Sequence, residues 1–199
     1  MKHRYWLLIV LFMGIASMAW AQEPGVVRAT GFVLVDDQGR ERAKLGMGSE
    51  GPALMLCDED GLPRFTLQVE KAGTGLILFG ENGPNFVLAV SKDSSGLILC
   101  DESGKTRIKL NMGKDGPELR LKDESGESRI VLKIGKSGPF FNLYDDDGKL
   151  RLYVVVEKDG PVLLLTDESG KCRIAIDAKR NPPKLILFDE NGKTIWKAP

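Results

Sequence analysis

Acidic pairs are the first residues in this chain that could do chemistry. Asp101-Glu102, Asp123-Glu124 and Asp167-Glu168 each open a D-E-S-G stretch, and Asp36-Asp37, Asp58-Glu59 and Asp145-Asp146 take the same place in variants of it. Adjacent carboxylates could serve as general acid and base or hold a cation. Each pair, however, lies in a polar stretch beside a glycine, where nothing raises a carboxylate pKa. No acid lies inside an apolar run, as the buried pair of a glycosidase would. The stretch "YDDDGK" comes nearest to a calcium loop, with Asp145 and Asp147 as the candidate ligands. A full loop wants another acid two positions before Asp145 and a Glu near its end. Leu143 fills the first slot and the second falls in a strand, so the sequence predicts a turn there, with no metal and no cofactor.

Nucleophilic catalysis fares no better. The only histidine is His3, which lies in a segment that reads as a leader. Without it no Ser-His-Asp or Cys-His arrangement and no His-based metal site can be built. The sequence therefore predicts a protein that is not an enzyme. Cys57, Cys100 and Cys172 make an odd count, which is not a closed disulfide framework. Cys57 and Cys100 hold equivalent positions two repeats apart, about four strands at about 4.8 Å each, too far for a bridge. They read as apolar fillers.

A basic column is the third candidate. Arg42, Arg64, Arg107, Arg129, Arg151 and Arg173 recur at one repeat position, broken by Asn85 and Ile195. Such a stripe could grip a polyanion, and Arg64, Arg107, Lys109, Arg129, Arg151 and Arg173 form the candidate binding face. The opposing reading pairs each Arg with the turn acids of its own or the next hairpin. Aromatic interleaving is sparse, since Tyr144, Tyr153 and Trp196 are the only Tyr or Trp beyond the leader, so base-stacking platforms are poor. Nucleic acid is not an expected partner.

The elements that must position these residues come from a repeat. The glycine of the D-E-S-G element falls at Gly39, Gly61, Gly83, Gly104, Gly126, Gly148, Gly170 and Gly192, spaced by 22 residues with one interval of 21 after Gly83. Each unit carries two alternating apolar stretches, such as Leu97/Leu99 followed by Ile108/Leu110/Met112. Period two over short runs bounded by Gly, Asp and Pro predicts strands, and no stretch shows a helical period. Two connectors alternate: D-x-x-G, whose Asp caps a turn and whose Gly supplies positive φ, and "KDGP" or its variants. Leu54 and Leu56 must share a face with Phe65 and Leu67. A four-residue loop, Asp58 to Gly61, satisfies that parity by pairing Cys57 with Leu62 and Leu54 with Phe65. A three-residue turn with a glycine bulge would set Leu56 against Arg64.

The fold class is therefore all-β: tandem 22-residue β-hairpin repeats forming a curled antiparallel meander around the apolar face. The alternative is a two-sheet β-solenoid. That arrangement would stack the turn aspartates in a ladder at about 4.8 Å per step, where like charges repel. Five or so inward side chains per unit would form the core, with Leu99, Ile108 and Leu110 among them and Trp196 as the plug of the last hairpin. The other face is apolar too on the first strands of units two to four, at Met55/Cys57, Ile77/Phe79 and Ile98/Cys100. It then turns polar at Arg120/Lys122 and Asn142/Tyr144.

Residues 1–21 have Lys2 and Arg4, an apolar run from Trp6 to Ile15, and Ala19-Trp20-Ala21. This is the pattern of a signal peptide, and the run is short for a membrane span of about 20 residues. Residues 22–30 form a lead-in, and residues 31–199 form a single repeat domain of eight units. With 28 basic and 28 acidic residues in the whole chain, no strong field selects a charged partner. "YDDDGKL" at 144–150 resembles the YD repeat of bacterial Rhs-type secreted proteins, which implies spirals of β-hairpins. The L-x-L-x-D-x-x-G-K-x-R pattern of the units is similar to that of uncharacterised exported bacterial repeat proteins, which implies no activity. The expectation is a periplasmic or extracellular protein without a membrane span after cleavage, acting as a structural or interaction scaffold. The alternative is a module that recognises a glycan or protein through the outer sheet face. A homo-oligomer is also open.

Overall fold

The computed structural model describes residues 26–198; the expected leader and the first residues of the lead-in lie outside them. Sixteen strands follow one another: β1 (Gly31–Val35), β2 (Glu41–Met47), β3 (Pro52–Cys57), β4 (Pro63–Glu70), β5 (Gly73–Phe79), β6 (Pro84–Ser91), β7 (Ser95–Cys100), β8 (Thr106–Gly113), β9 (Gly116–Lys122), β10 (Ser128–Gly135), β11 (Gly138–Tyr144), β12 (Leu150–Glu157), β13 (Gly160–Thr166), β14 (Cys172–Asp177), β15 (Lys184–Phe188) and β16 (Thr194–Ala198). All belong to one antiparallel sheet whose strand order is the chain order. This is the meander. Among the described residues each strand packs only against its chain neighbours, so β1 and β16 remain two open edges. No parallel pair of a solenoid is present among them.

The D-x-x-G turn is built from its own side chain. In the hairpin of β3 and β4, Asp58 N–H donates to the Leu62 carbonyl at 3.0 Å and Gly61 N–H to the Asp58 carbonyl at 3.1 Å. Asp58 Oδ1 accepts from the N–H groups of Asp60 and Leu62 at 3.0 and 2.9 Å, and Gly61 stands at φ 79°. This is a three-residue loop with a glycine bulge, not the expected four-residue loop. Cys57 pairs with Pro63 rather than Leu62, and Leu56, rather than Leu54, faces Phe65. The parity argument nonetheless holds. A second irregularity between Leu56 and Cys57 makes Arg64 an extra residue, and two one-residue shifts return the strand to its original face. Leu54 and Leu56 thus share a face with Leu67 and Phe65. Unit three loses its residue from the turn itself: Gly80 N–H donates to the Gly83 carbonyl at 2.8 Å, closing a two-residue loop, and Asn85 takes the extra position.

The other connectors are mostly two-residue turns, and the glycine that leaves them sits hard against the next strand. At Gly138 φ is +124°, and a Cβ there would stand 2.0 Å from the Val156 carbonyl oxygen. Only glycine allows the turn and its neighbour to pack so closely.

Register gathers the apolar positions into two rows that cross the whole sheet with one residue from each strand. The first runs through Leu56, Phe65, Leu78, Phe86, Leu99 and Ile108 and ends at Trp196 beside Leu187. The second runs through Leu67, Leu76, Leu88, Leu97, Leu110 and Leu119. We call this face the leucine comb. It is not the buried core that the repeat pattern predicts. Leu110 is 48% exposed and Trp196 48%, because a single layer has no second layer to cover it. The buried apolar residues, Val131 and Val155, and the buried Asn142 lie on the opposite face.

Candidate functional site

The arginine column is held by the turns it follows. As the extra residue of each bulge, the Arg has no cross-strand partner and reaches back to its own turn. Arg64 Nε lies 2.5 Å from Asp58 Oδ2, Arg173 Nη1 3.4 Å from Asp167 and Arg107 Nη1 3.8 Å from Asp101. Arg129 pairs with Asp123, and Arg151 Nε donates to Asp145 Oδ2 at 2.6 Å. Several also reach the next hairpin. Arg64 Nη1 donates to the Gly80 carbonyl at 2.8 Å, Arg129 Nη2 to that of Asp146 at 3.0 Å and Arg173 Nε to that of Phe188 at 3.0 Å. A parallel set of lysines does the same: Lys105 Nζ donates to Glu124 O at 2.8 Å and Lys171 Nζ to Glu190 O at 2.8 Å. The tips therefore form a stitched ladder in which these arginines and lysines answer a carboxylate or a carbonyl, while Arg107 Nη1 and Arg129 Nε and Nη1 are buried without a hydrogen-bond partner.

The carboxylates respond. The backbone N–H of Arg40 holds Asp36 down to about 2, and the Ser169 hydroxyl, with the N–H groups of the turn, holds Asp167 at about 2. Asp101 and Asp123 are lowered in the same way, first by the hydroxyls of Ser103 and Ser125. These acids stay ionised at any ordinary pH, which suits a cap and not a proton donor. Asp145 Oδ1 accepts from Asp147 and Lys149 N–H at 3.0 and 2.8 Å, and Oδ2 takes Arg151. Among the described residues no cluster of three or more metal-ligating side chains forms.

Lys109 does not join the arginine column. It sits within β8 on the face opposite the comb, between Ile98 and Arg120. Around it the polar face carries a cluster that the sequence signalled only as a change of residue type at Arg120. Arg120 grips Glu118 with Nε at 2.5 Å and Nη2 at 3.1 Å, and Lys133 Nζ lies 3.6 Å from Glu118 Oε2. Beyond it Asn142 Nδ2 donates to the Tyr144 hydroxyl at 2.8 Å, and Phe140 meets Tyr153 at a centroid distance of 6.4 Å. These large side chains lie around Val131 and Val155 and account for their burial. On the same face Gly75, Ala89 and Gly96 leave a shallow groove of about 370 Å³ that Gln68 and Asn111 also line. The three cysteines are free thiols, with Cys57 on β3 and Cys100 on β7.

The comb is covered by no other element among the described residues and carries no ionisable side chain in either row. It offers no reacting group; what it can do chemically is exclude water against another apolar surface. No protein family matches this chain, and no curated protein does.

Proposed function

We propose that the protein is an exported, non-catalytic repeat protein that serves as a structural or interaction scaffold in the bacterial envelope or outside the cell. One observation carries this reading: the sheet is a single open layer that presents a continuous apolar face, while the arginines of its tips are tied to turn aspartates. Repetition of one hairpin extends such a surface without any reaction centre. The leader pattern at residues 1–21 supports export. Expression of the full chain in a Gram-negative host tests the reading, with cell fractionation and sequencing of the mature N-terminus. The expected product begins at Gln22 and lies in the periplasm or medium. A full-length chain retained in the cytoplasm would overturn export.

A second use, recognition of a glycan or protein by the polar face, rests on the groove between Gln68 and Asn111. Alanine at both positions would abolish glycan-array binding without loss of folding if that use is correct.

A further inference from the structure

We propose that the leucine comb is the interface of a homodimer, two copies of the chain packed comb to comb as a two-layer β-sandwich. This goes beyond the scaffold reading and stands or falls separately from it.

Area is the first argument. Eleven side chains of the two rows, from Phe32 to Trp196, remain 38–64% exposed, and six apolar side chains that flank the rows on the same face, among them Met47 and Met112, remain 46–68% exposed, while the other row residues are half-buried. Taking roughly 150–200 Å² for a fully open large side chain, they leave on the order of 1,500 Å² of apolar surface. The largest apolar patch of a typical monomer is about 300–600 Å², and a stable interface takes about 800 Å² from each partner. The surface is thus well above what a soluble monomer leaves bare and ample for a dimer.

Shape is the second. The rows cross sixteen strands, which at about 4.8 Å each extend roughly 75 Å along the sheet. A small ligand or a single helix covers a fraction of that length. A second copy presents the same length, the same hairpin period and the same two rows, and two sheets stack face to face about 10 Å apart.

Charge is the third. No ionisable residue interrupts either row. The turns that bound them tie their first aspartates to arginines, which keeps those charges at the border and off the rows. The result is an apolar interior with a polar border, the usual anatomy of an interface.

Sedimentation equilibrium on the mature chain tests this. The expected mass is that of two chains, without higher species. Leu110→Glu combined with Leu132→Glu places charge at the centre of the comb and should give a single-chain mass with the strand signal in circular dichroism retained. Lys109→Glu, on the other face, should leave the mass at two chains. A single-chain mass for the unaltered protein overturns the proposal, and co-sedimentation of that monomer with phosphatidylcholine vesicles would assign the comb to lipid instead. An open-ended series of masses also overturns it, since that is edge pairing of β16 on β1. Should the double variant fail to fold, methionine oxidation by hydrogen peroxide decides on the unaltered chain. Met112, 52% exposed on the comb side of the lone sheet, should oxidise at least tenfold more slowly than free methionine. Oxidation at the free rate in a two-chain particle would place the interface elsewhere and refute the proposal.

Discussion

At the residue scale, one aspartate carries the turn in seven of the eight units, and one arginine answers it in six. The carboxylate of Asp167 takes the Ser169 hydroxyl at 2.7 Å and the N–H groups of Ser169 and Lys171 at 2.9 and 3.0 Å. Its pKa falls from 3.8 to about 2 in the fold, as does that of Asp36. A folded-state pKa below the unfolded one means that the unfolded chain binds protons first. The stabilisation is complete above about pH 4 and is lost as pH falls from there towards 2. The thermal midpoint should therefore be flat from pH 7 to 5 and drop steeply between pH 4 and 2, as read by circular dichroism. Asp167→Asn keeps an acceptor for the turn but loses the Arg173 pair, so it should lower the midpoint at pH 7 and flatten the acid limb. The repeat made these residues easy to find, and the pairing of each Arg with its own turn was one of two readings open in the sequence. The bulge that directs the Arg was hidden, because alternation counts residues and cannot see that one of them has no partner across the ladder.

Strands and turns depend on where glycine is forced and where packing is real. Gly138→Ala would bring a Cβ within 2.0 Å of the Val156 carbonyl at φ +124°; the expected cost is at least about 3 kcal/mol, the upper end for strained backbone. Gly126→Ala meets open space at φ +90° and should cost only the left-handed penalty of about 1–2 kcal/mol. Urea unfolding of the two variants separates close approach from conformation alone. Val155, 3% exposed on the polar face, should lose about 2 kcal/mol on Val155→Ala at roughly 0.8 kcal/mol per methylene-sized group. The period of 22 made the strands and their faces legible. It misjudged the loop, since a three-residue turn plus a second bulge gives the same parity as a four-residue turn, and parity was the only observable. The polar-face cluster of Glu118, Arg120 and Lys133 was less legible, because its members come from different strands and break the repeat rather than follow it.

For the whole molecule, the meander was readable from like-charge spacing, and the fate of its apolar face was not. The alternation of leucines says that a face is apolar and says nothing about what covers it. The antiparallel meander is as expected, but the sheet is not closed, and Leu110 on that face is left 48% exposed. An open comb and a polar border together make the second copy the natural cover. Small-angle X-ray scattering on the mature chain, with an absolute mass from forward scattering, tests this most directly. The account predicts the mass of two chains and a radius of gyration well above the roughly 16 Å of a compact chain of this length, with the cross-section of two stacked sheets. A single-chain mass with a radius of gyration near 16 Å would contradict it, for the sheet would then have closed on its own comb.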